Sequence, residues 1–215
     1  MASMILECRS ALLNVAVPGR FGARRSGAPS VTLVERAGLA IALVTARKGK
    51  AVEAIEALAA FAQVRPLDRP SVFAKDGVAL IGVASGQWLA VAEPKRAVGF
   101  AAAIAEASAA AATVTDHTSA KAVVRIAGAR ARDALAKGCP IDFDPRVFKS
   151  GSAATTRIAL IDCSLWQTDS TPAYDLAVDR SIAPSFWTWL TSSAAEYGYE
   201  VLPAPDGEPV RLSAF

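Results

Sequence analysis

The pentapeptide Trp-Leu-Ala-Val-Ala at residues 88–92 recurs in outline as Asp-Leu-Ala-Val-Asp at residues 175–179. Each segment is a short apolar run typical of a buried strand, and each leads into a stretch with helical character. Upstream, Val44-Thr45-Ala46 and Ile126-Ala127-Gly128 form a second matched pair, at a strand-to-helix step. The two pairs have offsets of 87 and 82 residues and occur in the same order. This spacing predicts a duplicated strand–helix–strand–strand–helix unit.

Apolar periodicity outlines the elements around these landmarks. Strands are predicted at Val31–Glu35, Leu39–Thr45, Val72–Lys75, Val78–Val83, Trp88–Ala92, Thr113–Thr115, Ala122–Ala127, Thr156–Trp166 and Tyr174–Val178. Helices are predicted at Lys48–Ala62, Ala97–Ala110, Ala131–Lys137 and Ser181–Tyr197. Because the strands cluster between helices without strict alternation, the pattern predicts an α+β fold with an antiparallel or mixed sheet and helices to one side.

Proline and glycine punctuation divides the chain into three parts. Residues 1–30 are predicted to be an irregular, basic N-terminal arm, and residues 201–215 a loose C-terminal tail. Residues 31–200 are predicted to be a single α+β domain of two related halves, at about 31–112 and 113–200.

The composition indicates a globular protein without a membrane-spanning helix. Hydrophobic residues make up 53% of the 215 residues and charged residues 20%, which excludes a disordered chain. The best candidate span, Ala97–Val114, is mostly alanine and contains Glu106, so we expect a packed helix there. Cys8, Cys139 and Cys163 are widely spaced, which argues against a disulfide framework and favours a reducing compartment. The expected location is the cytoplasm.

Positive charge is concentrated near the N-terminus. Residues 1–50 carry a net charge of +6, against +3 for the whole chain. We expect Arg20, Arg24 and Arg25 to dock electrostatically on a protein partner, and a frayed, solvated terminus is the alternative. Nucleic acid is not the expected partner, because the arginines are not interleaved with exposed aromatic residues and no nucleic-acid-binding motif occurs.

Aromatic residues at the start of the last predicted helix offer a second candidate interface. Trp187, Leu190 and Ala194 follow helical spacing and form one stripe, whereas Trp189 points elsewhere. A tryptophan outside the buried stripe either packs beneath a loop or faces a partner. Phe186, Trp187 and Trp189 are therefore candidate partner contacts, and burial in the core is the open alternative.

Few residues could carry catalysis. His117, the single histidine, could be a general base oriented by Asp116. Adjacent residues of an extended chain point to opposite faces, so a histidine in a turn is the favoured interpretation. Asp142 and Asp144 could share acid–base work, but turn formation between two prolines is the preferred alternative. Cys139 lacks a nearby histidine and is expected to be a buried structural thiol.

Cofactor motifs are absent from the sequence. One histidine and no closely spaced cysteine pair leave no zinc ligand set, and neither glycine-rich phosphate-binding fingerprint occurs. Arg47, Lys48, Gly49 and Lys50 precede a predicted helix and could meet an anion at its N-terminus, although a solvated basic turn is the ordinary interpretation. We expect no catalytic site, cofactor or metal on this chain.

Three stretches carry a resemblance to a known family. They are Val124–Asp142, which includes Leu135-Ala136-Lys137-Gly138-Cys139-Pro140; Asp144–Phe148 with the following Gly151 and Ala154-Thr155-Thr156; and Val178–Leu190. Together they resemble the gamma-subunit family of heterotetrameric sarcosine oxidase. That family more often has histidine at the position of Asp144, before Pro145, and the sequence departs from its pattern there.

The resemblance also implies a fold. The family is similar to the folate-binding T-protein of glycine cleavage, an aminomethyltransferase that contains duplicated ferredoxin-like units. Relatives of the T-protein often carry Lys-Gly-Cys followed by an aromatic residue and then Gly-Gln-Glu. Here Lys137-Gly138-Cys139 is followed by Pro140 and Ile141 without Gly-Gln-Glu, so the resemblance gives no support for the activity of those relatives.

The function implied by the resemblance is that of a noncatalytic structural gamma subunit. Its complex would oxidatively demethylate sarcosine to glycine and pass the one-carbon unit to tetrahydrofolate, the co-substrate. The implied partners are the alpha, beta and delta subunits, chiefly the large alpha subunit, and these would carry the FAD, FMN, NAD and zinc.

Two other functions remain open from the sequence. The first is a freestanding folate-binding aminomethyltransferase-like protein, in which Asp116 or Asp162 would supply a carboxylate to the pterin ring. The second is a general interaction module without a link to amine oxidation.

Overall fold

The computed structural model describes residues 10–23, 27–169 and 171–204. Its strands are β1 (Gly19–Phe21), β2 (Val31–Glu35), β3 (Ala40–Ala46), β4 (Val72–Lys75), β5 (Val78–Ala84), β6 (Gln87–Ala92), β7 (Ala112–Asp116), β8 (Lys121–Ala127), β9 (Ala153–Ile158), β10 (Ile161–Trp166), β11 (Ala173–Asp179) and β12 (Tyr199–Val201). Its α-helices are α1 (Ala51–Ala62), α2 (Phe100–Ser108), α3 (Ala131–Ala136) and α4 (Ala183–Ala194). Short 3₁₀ turns occupy Pro94–Arg96, Arg180–Ile182 and Ala195–Tyr197.

The strands form two sheets. One has five strands in the order β4-β5-β6-β3-β7, and the other has seven in the order β1-β12-β2-β8-β11-β10-β9. Neighbouring strands are antiparallel except β12 and β2, which pair in parallel. The α+β fold with antiparallel and mixed sheets is therefore as the sequence predicts.

Three apolar clusters show that the two sheets stack face to face, with helices on their outer faces. The helices α1 and α2 bury Leu58 and Ile104 against the five-stranded sheet. The helices α3 and α4 bury Leu135 and Phe186 against the seven-stranded sheet. The third cluster lies between the sheets and contains Trp166 together with side chains from both. The resulting order is helix, sheet, sheet, helix, with each sheet covered by helices on one side.

The predicted duplication is present in the order of the elements. The first unit runs β3-α1-β4-β5-β6-α2-β7 and the second runs β8-α3-β9-β10-β11-α4-β12. Within the sheets, β4-β5-β6-β3 corresponds to β9-β10-β11-β8. The units differ at one place, because β7 pairs directly with β3 whereas β2 lies between β8 and β12. An extra strand from the N-terminal side has thus entered the second unit.

In this topology, the boundaries of the two halves differ from the predicted ones. The predicted first half, 31–112, includes β2, but β2 pairs with β8 and β12 in the second sheet. The predicted boundary at 112/113 falls inside β7, which pairs with β3 in the first sheet. Strand partners are set by long-range pairing, and the periodicity of a strand carries no information about its neighbour.

The stretch Thr156–Trp166, predicted as one strand, is the hairpin β9–β10. Its two turn residues, Ala159 and Leu160, have φ angles of 48° and 68°. Such turns normally contain glycine or asparagine, since other residues are strained at positive φ. The residues Ala159 and Leu160 therefore did not indicate a turn in the sequence.

Short ordered segments also occur where the sequence predicts irregular chain. The strand β1 lies inside the predicted arm 1–30, and β12 ends at the start of the predicted tail. They pair with each other from Gly19↔Val201 to Phe21↔Tyr199. Three residues are too few to show an alternating pattern, and both strands are stabilised by the sheet they join. Most other predicted boundaries agree with the structure to within three residues.

Candidate partner interface

The predicted aromatic contacts divide into buried and accessible residues. Phe186 is fully buried and Trp187 is 4% exposed, so both belong to the core beneath α4. This burial removes Phe186 and Trp187 from the candidate interface, and it explains the predicted stripe of Trp187, Leu190 and Ala194 as part of the core. Trp189, the residue outside the stripe, is half-buried and remains accessible.

Trp189 lies across the contact between α3 and α4. A Cβ atom added at Gly138 would lie 2.6 Å from Trp189 Cζ2 and 3.2 Å from Nε1, so the indole rests directly on the glycine backbone. Its other neighbour is Phe186, at a ring-centroid distance of 5.8 Å. The small residue in Lys137-Gly138-Cys139 is therefore required by the tryptophan packed against it.

Two cations and a tyrosine lie beside this contact. The Arg130 guanidinium is 4.5 Å from the centre of the Tyr197 ring, and Lys137 Nζ is 4.6 Å from it. Lys137 Nζ also donates to the Ser193 carbonyl at 2.6 Å. We call Arg130, Lys137, Trp189 and Tyr197 the aromatic–basic patch. Its combination of tryptophan, tyrosine and arginine is typical of protein interfaces.

The N-terminal segment exposes a run of apolar side chains. Leu13, Val15 and Val17 are 65%, 40% and 58% exposed, although neighbouring Leu12 is fully buried in the core. The start of this segment is fixed by Glu35, whose carboxylate accepts hydrogen bonds from the Ser10 hydroxyl and the Ala11 amide. Leu12 thus anchors a segment whose other large side chains face outward.

The same segment continues into β1 at the edge of the seven-stranded sheet. Phe21 stacks on Tyr199 with ring centroids 5.5 Å apart and retains 42% exposure. Arg20 is exposed and pairs with Glu200 at 3.3 Å. The predicted contacts Arg24 and Arg25 lie outside the described residues. Of the predicted basic contacts, Arg20 is therefore placed beside an exposed aromatic residue.

The histidine considered as a base is held by backbone contacts. The His117 amide donates to the Ile41 carbonyl at 2.8 Å, and its own carbonyl accepts from Ala120. Asp116 Oδ1 accepts the Thr118 amide at 2.8 Å, so the carboxylate turns toward its own backbone. His117 Nδ1 is buried without a hydrogen-bond partner among the described residues. This arrangement is a histidine in a turn, without an orienting carboxylate.

The two loop carboxylates also have structural partners. Asp142 Oδ1 accepts the Asp144 amide at 2.9 Å, and Asp144 Oδ1 accepts the Arg146 amide at 2.8 Å. The Arg146 guanidinium binds both Asp144 carboxylate oxygens and lowers the pKa of Asp144. These are consecutive side-chain turns, as expected for aspartates between prolines. Asp162 pairs with Arg157 on the exposed β9–β10 hairpin.

The described cysteines are buried structural thiols. Cys139 and Cys163 are free, and burial raises the pKa of each thiol. A raised pKa disfavours the nucleophilic thiolate. Cys8 lies outside the described residues.

A cluster of charged side chains lies in a groove of about 310 Å³ between the units. Asp175, 5% exposed, accepts hydrogen bonds from Arg125 Nε and Nη2, both at 2.7 Å. This carboxylate raises the pKa of the Arg125 guanidinium. Arg36, in the link between β2 and β3, donates to Asp175 at 3.2 Å and also to Glu93 beyond β6. Asp175 and Glu93 come from different sheets, so Arg36 links the two units.

We call this group the inter-unit ion cluster, and no pattern in the sequence predicted it. Arg36 and Asp175 are 139 positions apart. Its carboxylates are occupied by guanidinium groups, which suits a structural role. Within the described ranges, no group of three or more His, Cys, Asp or Glu residues is placed to hold a metal ion. No described helix has the length and apolarity needed to cross a membrane.

Comparisons with known proteins relate the chain to one family. Residues 48–196 match the family described as sarcosine oxidase, gamma subunit family. No curated protein gives a significant match to the chain. Among solved structures, the chain is similar to heterotetrameric sarcosine oxidase from Corynebacterium sp. U-96 in complex with pyrrole 2-carboxylate. The identity is 25% and the TM-score 0.75, and the alignment covers 88% of this chain and 96% of the matched chain.

The similarity to a second solved structure supports the fold and no conclusion about function. This structure is the glycine cleavage system aminomethyltransferase T from Bartonella henselae, at 13% identity and a TM-score of 0.57. The alignment covers 78% of this chain and 49% of the aminomethyltransferase, so this chain corresponds to about half of that protein. The family match spans more than half of the chain and agrees with the duplicated fold. The chain belongs to the sarcosine oxidase gamma subunit family.

Proposed function

We propose that this chain is the noncatalytic gamma subunit of a cytoplasmic heterotetrameric sarcosine oxidase. The observation that carries the proposal is the similarity to a chain of such an enzyme over nearly the whole length of both chains. The complex oxidatively demethylates sarcosine to glycine and delivers the one-carbon unit to tetrahydrofolate. Its FAD, FMN, NAD and zinc are bound by the other subunits.

The role proposed for the chain is to cover apolar surface of the large alpha subunit, within an assembly that also contains beta and delta subunits. Two surfaces support this role. The N-terminal segment exposes Leu13, Val15 and Val17 beside Phe21, and the aromatic–basic patch presents Trp189. Exposed apolar side chains flanked by cations suit a partner with an apolar, acidic surface.

Charge reversal on β1 tests which surface docks. Arg20→Glu should slow association with the other subunits about tenfold at low salt, because cations at an interface steer encounter. Arg157→Glu is the matched control, since Arg157 is also exposed and paired with a carboxylate, on the β9–β10 hairpin. Association rates would be measured by biolayer interferometry on an immobilised complex of the other subunits. Equal rates for the two variants would exclude Arg20 from the interface.

The accessible tryptophan gives a second test of the interface. Trp189→Ala should raise the dissociation constant about tenfold or more, as expected for an accessible interface tryptophan. The flavin spectrum and flavin reduction of complexes that still form should be unchanged, because the flavins are bound elsewhere. The thermal midpoint of the isolated variant serves as the control for loss of packing on Gly138. Unchanged affinity would remove the aromatic–basic patch from the interface.

A further inference from the structure

The sheets have four edges, and β7 differs from the other three. The edge strands β1, β4 and β9 each contain a basic residue, namely Arg20, Lys75 and Arg157. The strand β7 has the sequence Ala-Thr-Val-Thr-Asp, without lysine, arginine or proline, and its pairing with β3 is regular. Basic residues, prolines and bulges are the usual devices that stop an edge from pairing with another strand. The β7 edge lacks all three.

The outward side of β7 presents backbone hydrogen-bonding groups. The His117 amide donates to Ile41 and the Arg47 amide to Ala111, which sets the residues that bond inward to β3. Bonding alternates along an antiparallel pair. The amides and carbonyls of Ala112, Val114 and Asp116 therefore point away from β3. No other strand in the described ranges pairs with this side of β7.

The second unit shows that the strand corresponding to β7 can pair with an additional strand. Its equivalent of β7 is β12, and the outer side of β12 pairs antiparallel with β1. The strand β1 precedes both units in the chain, so it is donated from outside the repeat. An ion pair between Arg20 and Glu200 accompanies the pairing. Although β2 lies between β8 and β12, the outer side of the strand that corresponds to β7 in chain order thus already binds an added strand within this molecule.

From this internal precedent we infer that β7 binds an extended strand of a partner subunit, in antiparallel register along Ala112–Asp116. Thr113, Thr115 and Asp116 are exposed, whereas Val114 packs against the first unit's core. A matching strand would alternate polar and apolar residues and place a basic residue opposite Asp116, as Arg20 lies opposite Glu200. The identity of the partner as a subunit rests on the proposed function.

Hydrogen exchange followed by mass spectrometry tests this pairing in the assembled complex. The peptide that covers residues 110–118 should exchange at least about tenfold more slowly in the complex than in the isolated chain, because the outward amides become hydrogen-bonded. If a complex forms and other surfaces gain protection while this peptide does not, the β7 inference is wrong and the proposed function stands. If no complex forms, the proposed function fails and the inference fails with it.

Edge variants provide a second readout. Thr113→Lys with Thr115→Lys should weaken assembly about tenfold or more, since lysines on an edge oppose strand addition. Ala103→Lys with Ala107→Lys is the charge-matched control, on the exposed face of α2. Val114→Pro removes an outward amide without removing a bond to β3, and should act like the double lysine variant. Circular dichroism would select variants that fold, and wild-type assembly by any folded edge variant would overturn the inference. A homodimer of the isolated chain with protected β7 amides would overturn the choice of partner.

Discussion

At the residue scale, the contact between one glycine and one tryptophan explains one of the motifs that carry the family resemblance. The tripeptide Lys137-Gly138-Cys139 contributes to the family resemblance, yet Cys139 is buried with a raised pKa and Lys137 bonds to α4. Gly138 lies under the Trp189 indole, where a Cβ would overlap the ring. The tripeptide therefore has a packing role here, and sequence alone could not reveal it because the two residues belong to different elements.

This packing predicts a change of sign in a double-mutant cycle. Gly138→Ala should destabilise the chain by about 1–3 kcal/mol, because the added methyl group overpacks against the indole. In a Trp189→Ala background the same change should be neutral or stabilising by up to about 1 kcal/mol, since alanine restricts the unfolded chain. Urea unfolding of the four variants measures both effects. An equal loss of stability in both backgrounds would contradict the proposed contact.

At the element scale, the two units contain equivalent hairpins whose turns have different residues. Asp76-Gly77 joins β4 to β5, with φ angles of 48° and 78°, and is a standard hairpin signal. Ala159-Leu160 joins β9 to β10 at similar positive angles without a suitable residue. The sequence analysis accordingly separated β4 from β5 at this turn, whereas it predicted β9 and β10 as one strand.

Leu160 is therefore expected to be a strained position. Leu160→Gly should stabilise the chain by about 0.5–1 kcal/mol, because relief at positive φ exceeds the added entropy of the unfolded glycine. Leu160 is 89% exposed, so little packing is lost. The reciprocal change Gly77→Leu should destabilise by about 1–2 kcal/mol. Thermal unfolding of both variants tests the pair, and a lower melting temperature for Leu160→Gly would refute the strain.

Elements with a clear pattern were predictable, and their partners were not. The strand β2 was predicted at its observed residues, in which buried Val31, Leu33 and Glu35 alternate with half-buried neighbours. Its insertion between β8 and β12 depends on pairing with residues that are 89 to 95 positions away in β8 and 168 positions away in β12, which period-two alternation cannot encode. The candidate interface residues show the same limit, because core and interface were both open for Phe186 and Trp187 until the packing of α4 showed that they are buried.

At the scale of the whole molecule, the inter-unit ion cluster joins the two sheets. Asp175→Asn should destabilise the chain by about 3 kcal/mol, because it leaves Arg125 partly buried without its carboxylate and leaves Arg36 with Glu93 alone. Asp179→Asn is the matched control on the same strand. Asp179 is exposed and pairs with Lys121, so the loss of its charge should cost less than about 1 kcal/mol. Urea unfolding would measure the free energy of unfolding of both variants. Equal losses of stability would contradict a structural role for the cluster.

The central claim is that the chain works as a subunit, and one purification tests it most directly. The chain would be tagged, purified gently from its own cells, and examined for subunit masses and visible absorption. The account predicts co-purification of one very large, one medium and one small chain, together with a flavin spectrum. A colourless protein that purifies alone and binds tetrahydrofolate would contradict the account.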